Sequence, residues 1–171
     1  MSRKFVYKVL TAGEGGVGKT TLLHKYIKDE FLMDTKMTIG VEFFVKEIEM
    51  NGINFTLQLW DFGGQDRFRF MLENYVAGAK GAFLMFDLTR VSSLSNIEEW
   101  VGILRKTTPT LPILLIGTKL DLEDEIVVDD DFVEDMLLTE HNFFDYIKVS
   151  SKTGENVNKA VERLVLKILH S

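Results

Sequence analysis

Short apolar runs alternate with amphipathic stretches along most of the chain. This alternation is typical of parallel β-strands that are covered by helices on both faces. Strands are predicted at residues 5–11, 83–86, 113–116 and 143–149, and helices at about 18–29, 67–76, 92–106, 129–139 and 155–169. The pattern therefore predicts an α/β fold with five helices.

Residues 41–61 break the alternation. Two strand-like runs meet there at Asn51-Gly52, a dipeptide that accepts the positive φ angles of a two-residue hairpin turn. The hairpin brings an antiparallel strand into the predicted sheet, which then has six strands, mostly parallel, with one antiparallel edge strand. In the second run the odd-numbered residues from 53 to 59 are apolar and share one face, which leaves Trp60 on the opposite, polar face.

The chain has 171 residues, of which 46% are apolar, enough for one compact domain and too few for two ordinary ones. We therefore expect a single domain over residues 1–171. The absence of cysteine excludes disulfides, thiolate zinc sites and cysteine nucleophiles, and it fits a reducing, cytoplasmic compartment. A formal net charge of −6 disfavours nucleic acid as a partner, and no apolar run approaches the roughly 20 residues that cross a bilayer. We expect a cytoplasmic monomer.

The strongest chemical signal is the segment 13–20, Gly-Glu-Gly-Gly-Val-Gly-Lys-Thr, between a predicted strand and a predicted helix. It fits the phosphate-loop pattern, in which backbone N–H groups turn towards phosphates and the helix start adds partial positive charge. In this motif Lys19 reaches the outer phosphates, and the Thr20 hydroxyl can bind Mg²⁺. The predicted phosphate-binding residues are Gly13, Gly15, Gly16, Val17, Gly18, Lys19, Thr20 and Thr21.

Polar segments at the ends of two later predicted strands indicate which base is bound. The Asp121 carboxylate can accept two hydrogen bonds from guanine N1 and N2, whereas adenine has no matching pair of donors. A backbone N–H in the segment 150–152 can donate to guanine O6, and its serine and lysine side chains can brace the loop. The predicted base-binding residues are Thr118, Lys119, Asp121, Ser150, Ser151 and Lys152.

The segment 61–65 ends the third predicted strand and offers groups for the γ-phosphate and for water. Asp61 suits a water-mediated contact with Mg²⁺, and the Gly64 N–H can meet the γ-phosphate. Gln65 can orient the attacking water and is therefore the predicted catalytic residue.

With these motifs in order, the chain resembles the Ras-like small GTPases over nearly its full length. Three segments narrow the resemblance to Rab proteins: residues 38–43 resemble the first switch, 57–60 the strand between the switches, and 64–68 the second switch. The resemblance implies a P-loop GTPase fold, the G domain, that binds GTP or GDP with Mg²⁺ and acts as a molecular switch. Both switches are expected to tighten in the GTP state and to relax after hydrolysis.

The resemblance also implies roles for further residues. Thr38 is expected to bind Mg²⁺ through its hydroxyl, alongside Thr20 and Asp61, and the γ-phosphate through its N–H. Phe31 is expected to pack against the guanine. An aromatic triad is expected to contact effectors, exchange factors and GTPase-activating proteins, and it consists of Phe43, Trp60 and Tyr75. The resemblance implies regulation of the membrane-trafficking type, with peripheral attachment to a membrane through a partner.

Two of the departures from the family pattern concern base selection and membrane attachment. Thr118 stands where most of the family has Asn, yet Asp121 carries the choice of guanine. The C-terminus follows the last predicted helix and offers no cysteine for a lipid anchor. Either the C-terminus is truncated, or the protein reaches membranes another way, as would a Rab-like protein from an archaeon.

Unaided hydrolysis is expected to be slow. Gln65 can position water, but no arginine in the phosphate loop or the switch motifs is placed to neutralise the developing charge. Arg67 and Arg69 follow on a predicted helix and are expected to face partners.

Two other functions remain open. A P-loop kinase would need an acceptor site with an arginine-rich lid, whereas Arg105 and Arg163 stand isolated in predicted helices. A module that holds nucleotide without hydrolysing it is disfavoured by Gln65, Gly15 and Thr38. The nucleotide that co-purifies, and its turnover with Mg²⁺, would distinguish the three.

Overall fold

The computed structural model describes residues 4–29, 40–63 and 69–171, except for the side chain of Leu138. In these ranges six strands form one sheet: β1 Lys4–Gly13, β2 Val41–Met50, β3 Ile53–Phe62, β4 Gly81–Asp87, β5 Ile113–Thr118 and β6 Asp145–Lys148. Their order across the sheet is β2-β3-β1-β4-β5-β6. Only β2 runs antiparallel to its neighbour among the described strands, and it lies at the edge. The predicted sheet is confirmed.

Helices cover both faces of this sheet. The described helices are α1 Lys19–Lys28, α2 Arg69–Leu72, α3 Ile97–Leu104, α4 Asp130–Thr139 and α5 Val157–Leu169. Buried residues of α1 and α5 pack in one apolar cluster, while those of α2, α3 and α4 pack in a second cluster. Within the described ranges, none of the helices combines the length and apolar content that a membrane crossing requires.

The hairpin between β2 and β3 forms as predicted. Asn51 and Gly52 adopt φ angles of 52° and 76°, which are the positive values that a two-residue turn requires. Phe55 and Leu57 are almost fully buried, whereas Trp60 is half-buried on the other face. The period-2 pattern of β3 therefore identified its core face correctly.

The described part of the predicted helix 67–76 is α-helical over α2 and continues as a 3-10 turn at Glu73–Tyr75. A 3-10 turn is a frequent way for an α-helix to end, and the chain then bends at Gly78, where φ is 81°.

The predicted helix 92–106 begins with a 3-10 turn at Val91–Leu94 and is α-helical only from α3 onwards. The Ser93 hydroxyl lies 2.6 Å from the carbonyl oxygen of Arg90 and accepts a hydrogen bond from the Asp87 N–H at 2.8 Å. Hydrogen bonds from serine to nearby backbone favour turns over helix. This contact ties the turn to the end of β4 and delays the helix start.

Five parallel strands end at one edge of the sheet. Their carboxyl ends are Gly13, Phe62, Asp87, Thr118 and Lys148. In open α/β sheets ligands bind in the crevice beyond this edge, so the motifs that follow these strands are brought to one place.

Candidate functional site

The predicted phosphate loop connects β1 to α1. Gly16 and Gly18 take φ angles of 77° and 99°, which residues with a side chain rarely adopt. The Val17 side chain between them is fully buried in the core. The Val17 side chain thus anchors the loop in the core, while the glycines on either side of it let the backbone curve at the edge of the sheet.

Lys19 is buried at the base of this loop, with 6% of its surface exposed. Its Nζ donates hydrogen bonds to the carbonyl oxygens of Gly13, at 2.9 Å, and Glu14, at 2.8 Å. Burial lowers the pKa of Lys19 to about 8, although the carboxylates of Asp61 and Glu14 act in the opposite direction. A buried ammonium group bonded mainly to neutral carbonyls suits a site for phosphate anions.

Thr20 and Asp61 lie together beside the loop. The Thr20 hydroxyl donates to Asp61 Oδ2 at 2.5 Å, which joins the first turn of α1 to the end of β3. Asp61 is fully buried. Hard oxygen donors of this kind are the ligands that Mg²⁺ prefers, so the residues present fit a magnesium site.

The predicted base-binding loops also meet at this edge. The Ser150 hydroxyl, which follows β6, donates to Asp121 Oδ1 at 2.8 Å and accepts from the Thr153 N–H at 3.1 Å. Ser150 is fully buried, whereas Asp121 is half-buried. The carboxylate is therefore fixed in direction and still accessible.

Lys119 adopts a left-handed backbone conformation, with φ at 67°. Its Nζ lies 2.7 Å from Asp87 Oδ2 at the end of β4. Burial by itself raises the pKa of the Asp87 carboxyl, but hydrogen bonds from Lys119 and Thr89 outweigh it and hold that pKa below its usual range. Asp87 therefore stays ionised at neutral pH and fixes the Lys119 side chain.

Thr118 connects the base-binding side of the site to the phosphate loop. Its hydroxyl oxygen lies 2.7 Å from the carbonyl oxygen of Val17 and 3.0 Å from that of Phe86. A threonine hydroxyl thus braces the phosphate loop at the position where most of the resembling family has Asn.

Comparisons with known proteins agree with this geometry. A sequence profile of the Ras family matches residues 8–170. The chain belongs to the Ras family. The Rab-4B Ras-related protein of Homo sapiens is 35% identical over 167 residues, which are 97% of this chain and 78% of that protein. Ras-related protein Rab-11C of Dictyostelium discoideum is 35% identical over 168 residues, which are 98% of this chain and 74% of that protein.

A third relative, Ras-related protein RIC2 of Oryza sativa subsp. japonica, is 34% identical over 165 residues, which are 96% of this chain and 75% of the relative. As a Ras-family member with Rab relatives, the protein is a small GTPase that binds guanine nucleotide and hydrolyses GTP. An archaeal source for it stays a prediction.

Several predicted site residues of this GTPase lie outside the described ranges, and they are Phe31, Thr38, Gly64 and Gln65. Of the others, Thr21 is half-buried in α1, and Ser151 and Lys152 lie in the turn after β6, where Lys152 is exposed. The remaining predicted phosphate-binding and base-binding residues meet at the carboxyl edge of the sheet. Their individual roles stay predictions.

The prediction that Arg69 faces partners is wrong, while Arg67 lies outside the described ranges. Only 5% of its surface is exposed. Its guanidinium pairs with Glu14 of the phosphate loop at 2.7 Å and with Glu99 of α3 at 2.8 Å, and it lies 4.8 Å from the ring centre of Trp100. The Trp100 indole N–H donates to the same Glu14 carboxylate at 3.1 Å. Arg69 therefore joins α2, α3 and the phosphate loop.

Arg90 is a second arginine at the loop, and the sequence motifs did not identify it. Its guanidinium donates a hydrogen bond to the Gly15 carbonyl oxygen at 2.9 Å. These residues are 75 positions apart in the chain, so no local spacing could have revealed the contact.

Proposed function

We propose that this GTPase is a Rab-type switch with one G domain spanning residues 1–171, which binds GTP or GDP with Mg²⁺ and hydrolyses GTP slowly. Its output is binding of effectors through the switch segments, in regulation of the membrane-trafficking type. One observation carries the proposal. The phosphate loop, the Thr20–Asp61 pair and the braced Asp121 lie at a single edge of the sheet.

The described residues can bind and orient the nucleotide. Asp121, held by Ser150, accepts from guanine N1 and N2, and this pairing discriminates against adenine. Lys19 neutralises the outer phosphates, and the backbone N–H groups of the loop 13–20 surround them. Binding therefore fixes the γ-phosphate at one position before hydrolysis.

Thr20 and Asp61 would hold Mg²⁺ together with Thr38, where Asp61 acts through a bound water. The metal, when bound, neutralises charge on the phosphates and so favours attack by water. Gln65 orients that water. Arg69 is paired with Glu14 and Glu99 and is therefore not free to neutralise the transition state.

We expect a wild-type preparation to contain bound GDP or GTP and to hydrolyse GTP slowly by itself. Gln65→Leu is expected to lose the stimulation given by an activating protein, which is typically worth ~10³–10⁵ in rate. The measurement is phosphate release at saturating GTP, with and without the activating protein. The control is that the wild type and Gln65→Leu bind GTP with equal affinity. Rapid unaided turnover by the wild type would contradict the proposed mechanism.

Identifying the co-purified nucleotide also tests the two rival functions. A small-molecule kinase is expected to hold ATP, and a module without hydrolysis is expected to keep GTP intact in the presence of Mg²⁺. The arginines that a kinase lid would need serve other contacts, which disfavours this rival. Arg105 donates to the carbonyl oxygens of Leu111, His141 and Asn142, and Arg163 pairs with Asp145.

The proposed partner surface is the aromatic triad of Phe43, Trp60 and Tyr75. The ring centre of Trp60 lies 4.8 Å from that of Phe43 and 5.9 Å from that of Tyr75. The surfaces of Phe43 and Tyr75 are 47% and 36% exposed, and exposed Val45 lies on the same strand as Phe43. Clustered aromatics of this kind, between segments expected to move with nucleotide, are typical binding anchors. Attachment to a membrane would follow from binding such a partner.

Trp60 fluorescence is expected to change when GDP is replaced by a non-hydrolysable GTP analogue. The ring is half-buried in this triad, and the triad lies between segments that are expected to move with nucleotide. The Trp60 signal is the difference between the spectra of the wild type and Trp60→Phe. Trp100 is kept in both proteins because its indole N–H donates to Glu14 of the phosphate loop. A difference spectrum that is the same with both nucleotides would count against a nucleotide-dependent surface.

Trp60→Ala is expected to weaken binding of a GTP-dependent partner by roughly 30-fold, the effect typical of a hot-spot residue. Nucleotide affinity should stay close to that of the wild type, since Trp60 is on β3 and outside the nucleotide-binding loops. Both affinities can be measured by titration. Undiminished partner binding would show that the triad serves only packing.

A further inference from the structure

Arg90 contacts the phosphate loop at two consecutive glycines. Its Nη2 donates to the Gly15 carbonyl oxygen at 2.9 Å. Its two terminal nitrogens lie 3.9 and 4.0 Å from the position that a Cβ on Gly16 would occupy. The guanidinium therefore lies directly against the peptide unit that joins these glycines.

The backbone of Arg90 is held firmly at the end of β4. Its N–H donates to the Asp87 carbonyl oxygen at 3.0 Å, and its carbonyl oxygen accepts from the Ser93 N–H at 3.1 Å. The Thr89 N–H and hydroxyl both donate to the Asp87 carboxylate, at 2.8 and 2.6 Å. Arg90 thus extends from a fixed turn of the sheet edge rather than from a loose loop.

No carboxylate of the described residues forms an ion pair with Arg90. The side chain is exposed, so its conformation is not enforced by burial. The contact that orients it is the hydrogen bond to Gly15.

We propose that Arg90 is a positioning residue of the phosphate loop, an inference that rests on the proposed nucleotide-binding role of residues 13–20. The Gly15 carbonyl and the Gly16 N–H belong to one planar trans peptide, in which they point in opposite directions. A donor that fixes the carbonyl therefore also fixes the N–H. By holding the Gly15 oxygen, Arg90 keeps the Gly16 N–H directed towards the bound phosphates.

Arg90→Met removes the donors and keeps an unbranched stem, and it is expected to raise the dissociation rates of GDP and of a non-hydrolysable GTP analogue by about three- to tenfold. The factor should be similar for both nucleotides, because the hydrogen bond acts on the loop and not on the γ-phosphate. Arg90→Lys retains a donor and should restore most of the slow dissociation. The measurement is the decay of fluorescence when labelled nucleotide on the full chain is displaced by excess unlabelled nucleotide with Mg²⁺.

Arg163→Met is the matched control. Arg163 is also a surface arginine, with 43% of its side chain exposed, but its partner is Asp145 at the start of β6. Its loss should leave both dissociation rates unchanged. Far-UV circular dichroism should show all variants folded, since neither arginine is buried.

Dissociation from Arg90→Met at the wild-type rate would overturn the inference. So would an increase confined to the GTP analogue, which would indicate direct contact with the γ-phosphate, or a lysine variant as fast as the methionine variant. A wild-type chain that binds no guanine nucleotide would instead refute the proposed nucleotide site itself.

Discussion

Asp121→Asn is expected to shift the nucleotide preference from GTP towards xanthosine triphosphate by at least on the order of a hundredfold. The carboxylate can accept from both guanine N1 and N2, whereas an amide offers one acceptor and one donor. Xanthine carries an oxygen where guanine has the N2 amino group, so it matches the amide. Ser150 donates to Asp121 Oδ1 at 2.8 Å, and this contact can fix the Asn side chain in a similar direction.

The shift can be measured by competition of GTP, xanthosine triphosphate and ATP for one labelled nucleotide. Asp124→Asn is a suitable control, because Asp124 is an exposed carboxylate three residues further along the chain. That variant should keep the wild-type preference. An unchanged ratio of GTP to xanthosine triphosphate affinity in Asp121→Asn would mean that another group selects the base.

Gly13→Ala is expected to lower the free energy of unfolding by on the order of 3 kcal/mol or more, which is the largest destabilisation among the variants named here. The backbone of Gly13 has a φ of 144°, and a Cβ at this position would lie 2.3 Å from the carbonyl oxygen of Met85. Gly13 is paired with Met85 in the parallel ladder of β1 and β4, so neither backbone can move without breaking the sheet. The thermal unfolding midpoint should fall by about 6–12 °C.

Gly52→Ala separates backbone strain from this clash. Gly52 also has a positive φ, of 76°, but apart from Gly52 and its two chain neighbours no heavy atom of the described residues lies within 4 Å of the position that its Cβ would take. We expect a loss of only about 1–2 kcal/mol there. If Gly13→Ala and Gly52→Ala unfolded at the same temperature, the close approach of β1 to β4 would not be the cause of the stability lost in Gly13→Ala.

The local features of this GTPase were predictable because each depends on neighbours in the sequence. The positive φ angles at Asn51-Gly52 follow from the residue types themselves. The buried face of β3 follows from the period of two. The strand before the phosphate loop and the helix after it follow from the apolar pattern on either side.

The predicted helix 92–106 illustrates the limit of that reasoning. Apolar spacing over 92–106 favours a continuous helix, yet the structure has a 3-10 turn at Val91–Leu94. The Ser93 side chain bonds to the backbone of Asp87 and Arg90, which both precede that turn. The bond to Asp87 competes with the helix only when the end of β4 is already in place.

The sequence by itself determined the fold class, the phosphate loop and the carboxylate expected to select guanine, since each is a contiguous pattern whose chemistry is local. Only the tertiary structure decided where the arginines act. Arg69 meets Glu14 across 55 positions, and Arg90 meets Gly15 across 75. The sequence does not distinguish a charged side chain that faces solvent from one that binds a distant segment. Burial and hydrogen-bond geometry assign its partner only after pairing of the strands has brought the helices and loops that follow them together.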